Sequence, residues 1–146
     1  MSFSIRLLRQ DGQSSAARGR IQIGTFEEAF EADLSHWTRA RYEQQWREAL
    51  LRIVSGEPTS CLITSLTDPA TANFIFWWPM YSSGDEVVFQ NQVLFLEQVN
   101  GPFNPANPYV HVAPRMTVAA EGAPLSEWRI SKQHLARFLE GGSASD

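Results

Sequence analysis

The clearest periodic stretch lies between Arg39 and Val54, where Tyr42, Trp46, Ala49, Leu50, Ile53 and Val54 recur at spacings of three and four. Arg41, Glu43, Gln44, Arg47, Glu48 and Arg52 fill other positions, so the pattern predicts an amphipathic helix over about 39–54 with one buried face. The Thr38 hydroxyl is placed to cap its start, and Gly56 ahead of Pro58 closes its end. Glu43 with Arg47, and Glu48 with Arg52, stand four apart in acid-first order, which predicts two surface pairs worth about 0.2–0.5 kcal/mol each.

The flanking stretches read as strands. Phe3, Ile5 and Leu7 alternate with Ser2, Ser4 and Arg6, and Ile21 and Ile23 repeat the alternation, which predicts a hairpin joined by a mobile connection over about 10–19. Phe26, Phe30 and Leu34 recur at fours through an acidic segment, the pattern of a helical turn or an irregular path. After the helix, residues 61–66 form a short apolar run closed by Asp68 and Pro69. Residues 73–80 are the most apolar of all, and Pro79 predicts that this strand stops, bulges or runs along an edge. From Val87 to Leu96 nearly every position is apolar or uncharged, so one or both faces of that strand are covered. Together these three runs predict an antiparallel meander at the centre of the sheet.

Three prolines in residues 100–108 forbid a regular ladder and predict a stiff, extended loop suited to contacts. Residues 109–112, 115–119 and 125–130 read as further short strands. Ser131 is positioned to cap a final helix over about 132–140, with Ile130 and Leu135 as a hydrophobic staple and Gly141 as its end. The fold class expected is α+β, a mainly antiparallel sheet of about 5–7 strands packed on the long helix. It forms one domain over 1–140, followed by a disordered tail over 141–146.

Composition narrows the chemistry. A chain of 146 residues with 43% hydrophobic residues and five Trp has the size and apolar content of one well-cored domain. Cys61 is the only cysteine, which excludes an intrachain disulfide, and its apolar setting marks it as a small buried hydrophobe. No run reaches the roughly 18 apolar residues of a membrane span, and the first residues lack an apolar signal core, so a cytoplasmic protein without membrane contact is expected. His36, His111 and His134 fall into no metal-ligating spacing, and no nucleophile elbow or phosphate-binding loop occurs. No cofactor, metal or catalytic residue is assigned, and the reading is that the protein is not an enzyme.

Net charge is −4, and its distribution says more than its sum. No Lys or Arg occurs between Ile53 and Pro114, where Glu57, Asp68, Asp85, Glu86 and Glu97 contribute −5. Glu27, Glu28, Glu31 and Asp33 crowd a second short segment. With no basic stripe for phosphates, nucleic acid is an unsuitable partner and a basic one fits better. Trp77 and Trp78 are neighbours on a strand and so face opposite ways; an exposed ring of the two would serve as an interface anchor.

Residues 26–53, 60–69, 77–96 and 126–130, with the aromatic landmarks Trp37, Tyr42, Trp46, Tyr81 and Trp128, resemble a family of small bacterial immunity proteins of contact-dependent growth inhibition. The resemblance spans about residues 24–140. It implies a stoichiometric inhibitor that binds a cognate bacterial toxin and turns nothing over. Because the chain is acidic, a nuclease toxin with a basic cleft is the expected partner, met by Glu27, Glu28, Glu31, Asp33, Asp68, Trp78 and Asp85. When free, the protein is expected to be a monomer or weak homodimer. Two other readings stand beside this one: a non-catalytic interaction or self-assembly module, and an enzyme with an unrecognised site.

Overall fold

In the computed structural model, which describes residues 2–9, 15–99, 101–118 and 122–141, the chain folds as an α+β protein with two antiparallel sheets and two helices. The first sheet has the order β1-β2-β3, with β1 at Phe3–Leu7, β2 at Ala16–Ile23 and β3 at Phe26–Asp33. Helix α1, Arg39–Val54, follows. The second sheet has the order β4-β5-β6-β8, with β7 beside β5, and these strands span Thr59–Ser65, Phe74–Ser83, Glu86–Gln90, Glu127–Ser131 and, for β7, Gln92–Phe95. Helix α2, Lys132–Gly141, closes the described chain. The strands expected as one sheet therefore divide between two.

The predicted hairpin forms, with Phe3 opposite Ile23 and Leu7 opposite Gly19. Its second strand begins at Ala16, however, so residues 16–19 of the expected loop are ladder; residues 10–14 lie outside the described residues. The acidic segment is the larger correction. It is strand β3, paired with β2 from Phe26 opposite Ile23 to Asp33 opposite Ala16. A spacing of four fits a strand of period two as well as a helix, and the hairpin ladder with β2, closed by Gly24 and Thr25, decided between them. Gly19 leaves room for the Phe30 ring, whose carbons lie 2.4 Å from where a Cβ would stand, so a larger residue would displace that ring.

Helix α1 has the expected bounds, and the Arg41 amide donates to Thr38 Oγ1 at 3.1 Å. Its apolar stripe is buried, together with Gln45. That glutamine does what a neighbouring strand would do for the outer edge of β4: its Nε2 donates to the Cys61 carbonyl at 2.8 Å, and its Oε1 accepts from the Ile63 amide at 2.9 Å. Trp46 Nε1 donates to the Ile63 carbonyl at 2.7 Å, and Tyr42 Oη accepts from the Leu66 amide at 2.9 Å. The helix thus closes a sheet edge by hydrogen bonding, an arrangement that blocks edge-to-edge pairing. The two expected ion pairs on its wet face do not form. Glu48 accepts from Tyr109 Oη at 2.7 Å, Arg47 donates to the Leu139 carbonyl at 3.1 Å, and Arg52 lies over the Tyr109 ring and 3.5 Å from Glu57. Packing partners from other elements outcompete the weak pairs within the helix.

The meander β4-β5-β6 forms as expected, and β5 runs straight through Pro79. On one side Pro79 is opposite Cys61; on the other, the ladder is interrupted between Trp77–Gln92 and Met80–Phe89, so the missing N–H falls in a gap. The same gap breaks the expected long strand at Asn91 into β6 and β7. The proline-rich loop folds under β5, placing Phe103 6.5 Å from Trp77 in an edge contact. Residues 108–111 form a 3-10 turn rather than a strand, and 113–117 lack a ladder; Val118 makes an isolated bridge to Pro124. Two prolines and few inward apolar residues leave that stretch without strand partners. Strand β8 and helix α2 match expectation, with the Ser131 hydroxyl engaging His134 Nδ1 at 2.6 Å. Residues 142–146, expected to be a disordered tail, lie outside the described residues.

Strand β3 sets how the sheets meet. Along its length, Phe26 stacks on Trp128 of β8 at 4.3 Å and Glu28 accepts from Asn91 Nδ2 between β6 and β7 at 2.8 Å. Farther on, Phe30 lines a groove with Phe76 of β5, and the Asp33 amide donates to Ser65 of β4 at 3.2 Å. It therefore runs across the second sheet from β8, past the β6–β7 junction and β5, to β4, and leaves β7 uncovered. On one side of that crossing the sheets enclose Phe3, Ile21, Ile23, Met80 and Phe89, with Phe3 stacked on Phe89 at 5.5 Å.

Candidate partner-binding surface

The other side of the crossing is open. Phe74, Phe76, Trp78 and Met80 share one face of β5, and Val93 and Phe95 stand opposite Phe76 and Phe74 on β7. Trp78 and Met80 lie under the first sheet and are buried, but Phe74, Phe76, Val93 and Phe95 project beyond β3 and are 42–46% exposed. The rings hold one another: Phe74 meets Phe76 edge-on at 5.3 Å and Phe95 at 6.3 Å. The inner face of the sheet thus continues past its cover as an apolar shelf.

Two grooves border the shelf. One, of about 360 Å³, lies between β3 and the second sheet, walled by Glu28, Phe30, Thr64 and Phe76 with Trp78 at its floor. The other, of about 430 Å³, runs from Ala72 and Asn73 to Phe95 and Glu97. Glu28 lines the first groove and Glu97 the second, while Asp68 stands in the turn that leads into β5. Neither β3 nor the whole run from Ile53 to Pro114 carries a Lys or Arg to offset them.

The expected contact residues separate into three groups. Alternation sends Glu28 toward the second sheet and Glu27 and Glu31 to the opposite face of β3, although Glu31 also borders the first groove. On that opposite face Glu27 pairs with Arg20 at 2.8 Å, and Glu31 stands across from Arg18. Asp33 is engaged in its own turn, accepting from the Ser35 amide at 2.8 Å. Asp68 and Asp85 are exposed in separate turns, the Asp68 carboxylate accepting from the Ala70 amide at 3.0 Å. Trp78 is 2% exposed and Trp77 1%, so both rings pack in the core and neither is the exposed anchor that made Trp78 a candidate contact. Both faces of β5 are covered at that point, by Phe26 and Trp128 over Trp78 and by Phe103 over Trp77. The exposed rings are Phe74 and Phe76, which the sequence reading passed over. Their signal was an apolar strand pair with more apolar faces than the one long helix could cover.

Titratable groups elsewhere serve packing. Burial pushes the Cys61 thiol well above its usual range, which keeps it protonated, and pushes the Tyr42 hydroxyl up to about 12. His111 is lowered by burial; its Nε2 accepts from the Asn104 amide at 3.0 Å while its ring stacks on Phe103 at 4.8 Å. Arg115 holds the Glu127 carboxyl below the usual range, and Glu127 also accepts from Gln90 at 2.8 Å. Among the described residues, no three His, Cys, Asp or Glu side chains gather as a metal would need, and no helix is long and apolar enough to cross a membrane.

Comparison with known proteins gives three agreements. Residues 32–138 match the model of the family described as the CdiI N-terminal domain. The chain is 35% identical over 118 residues, 81% of its own length and 81% of the relative's, to the immunity protein CdiI of Enterobacter cloacae subsp. cloacae. Its fold superimposes with a TM-score of 0.82 and 28% identity on a chain of the CdiA-CT/CdiI toxin and immunity complex from Enterobacter cloacae, covering 98% of this chain and 99% of that one.

Proposed function

Since the chain belongs to the CdiI N-terminal domain family, we propose that it is an immunity protein that binds and neutralises a cognate bacterial toxin. The observation that carries this reading is the agreement over almost the whole length of both chains with a solved toxin and immunity complex. Inhibition is by stoichiometric binding without turnover, and the side chains with displaced proton affinities are accounted for by core and loop contacts. The partner is a toxin domain with a basic surface, a nuclease whose phosphate-binding cleft the acids of β3 and of the β4–β5 turn approach. Such opposed charge would raise the rate of encounter, to as much as about 10⁸ M⁻¹s⁻¹ at low salt. Interception takes place in the cytoplasm, before the toxin reaches its substrate.

The test is co-expression of the tagged protein with the polypeptide encoded immediately upstream of its gene. Growth that is arrested by the upstream polypeptide alone and restored by co-expression, together with a 1:1 complex on size exclusion, is the expected outcome. Growth arrest that persists despite soluble expression of the protein would overturn the reading.

A further inference from the structure

We propose that the apolar shelf of Phe74, Phe76, Val93 and Phe95 is the centre of the surface that seats the toxin, and that the toxin meets it with an apolar patch rimmed by basic side chains. The proposal rests on the immunity reading and adds the place and the chemistry of the contact.

Three features select this surface and this occupant. The shelf is contiguous and preformed: its rings hold each other at 5.3 and 6.3 Å, and β5 anchors it through Ile75 and Trp77, both 1% exposed on the opposite face. Ordering it on binding therefore loses little side-chain freedom, which favours aromatic anchors. Among the described residues, the other large exposed apolar side chains, Leu51, Val110, Met116 and Val118, lie on α1 and in the segment between β7 and β8 and form no comparable cross-strand set. Charge then chooses the partner. Glu28 and Glu97 line the two grooves that border the shelf, and neither β3 nor the run from Ile53 to Pro114 carries a Lys or Arg, so a basic rim on the partner is matched at both borders. A second copy of this chain would set acid against acid. The shelf also offers only roughly 300 Å² of apolar area, enough for the core of a larger polar-rimmed interface and well short of the ~800 Å² per partner of a standard one.

The experiment compares the wild-type protein and the double substitution F76S/F95S, each titrated against the upstream-encoded polypeptide carrying an inactivating mutation. Both side chains are partly exposed, so a cooperative melt and an unchanged circular dichroism spectrum are expected alongside affinity weakened by about 100-fold or more. In parallel, hydrogen exchange on the wild-type complex reads the surface without any substitution, and amides at 73–76 and 92–97 should slow on binding. Affinity within about threefold of wild type, or slowed exchange confined to other strands, would overturn the shelf while leaving the immunity reading standing. A wild-type protein that neither binds nor rescues growth would overturn both. A homodimer that F76S/F95S dissolves would overturn the choice of occupant.

Discussion

Gln45 shows how much a single polar side chain can hold in place. It is 1% exposed on the buried face of α1, yet satisfies two backbone groups of β4, with Tyr109 Oη a further 3.4 Å neighbour. Replacing it with Leu keeps the volume and removes both bonds, leaving the Cys61 carbonyl and the Ile63 amide unpaired in the core. The expected loss is about 2–4 kcal/mol, read from the midpoint of urea unfolding; a loss below about 0.5 kcal/mol would show that the β4 edge finds other partners. Nothing in the sequence marked this residue, because binary patterning treats Gln as a surface type and its role depends on a strand sixteen positions away. His111 gives a second prediction at this scale. Its folded pKa lies below the ordinary 6.5, so between the two values the unfolded chain binds a proton that the folded chain does not. Stability is therefore full above about pH 6.5 and falls as pH drops through that value, levelling off below the folded pKa. Urea midpoints at neutral pH and at mildly acidic pH should differ in that direction, and His111→Asn should remove the His111 part of the difference.

At the scale of elements, the sequence was most legible where local period and tertiary burial agree. Helix α1 carries its own signals at both ends, so its bounds were readable, and the ring of Trp46 sits where its stripe requires, 2% exposed and edge-on to Phe30 at 5.8 Å. Trp46→Ala should cost roughly 3–5 kcal/mol in the same unfolding measurement, through the lost ring and the unpaired Ile63 carbonyl. Legibility failed where the deciding partner was itself misread or lies on another strand. Strand β3 read as a helical turn or an irregular path because Phe26, Phe30 and Leu34 are four apart, and only its hairpin ladder with β2, which begins in a segment read as loop, makes it extended. The break at Asn91 was equally hidden, since alternation continues through it and the cause is Pro79 on the neighbouring strand. The candidate surface suffered from the same limit. That residues 73–80 and 87–96 are apolar was plain, but which of their rings the first sheet leaves uncovered follows from where β3 crosses.

For the whole molecule, the question is which of its acids a partner can feel. A sum over the sequence counts Glu27, Glu28 and Glu31 alike, whereas the fold pairs Glu27 with Arg20, sets Glu31 across from Arg18 at the border of the groove, and turns Glu28 into the groove beside the shelf. Glu28 accepts only from the neutral Asn91 among the bonds found, so its charge is the less compensated and the more useful to a basic partner. The binding surface proposed above then predicts unequal effects from equal substitutions. Glu28→Lys should weaken toxin binding by about tenfold or more, mainly through slower association, and the deficit should shrink as salt rises from 50 to 500 mM, about one Debye length moving from ~14 to ~4 Å. Glu27→Lys removes a surface pair with Arg20 and places a base on the far face, so affinity should stay within about threefold and stability within about 1 kcal/mol. Association rates measured for both variants across that salt range decide the matter. Equal losses would mean that only the total charge steers the encounter, and a larger loss at Glu27 would move the interface to the opposite face of the first sheet.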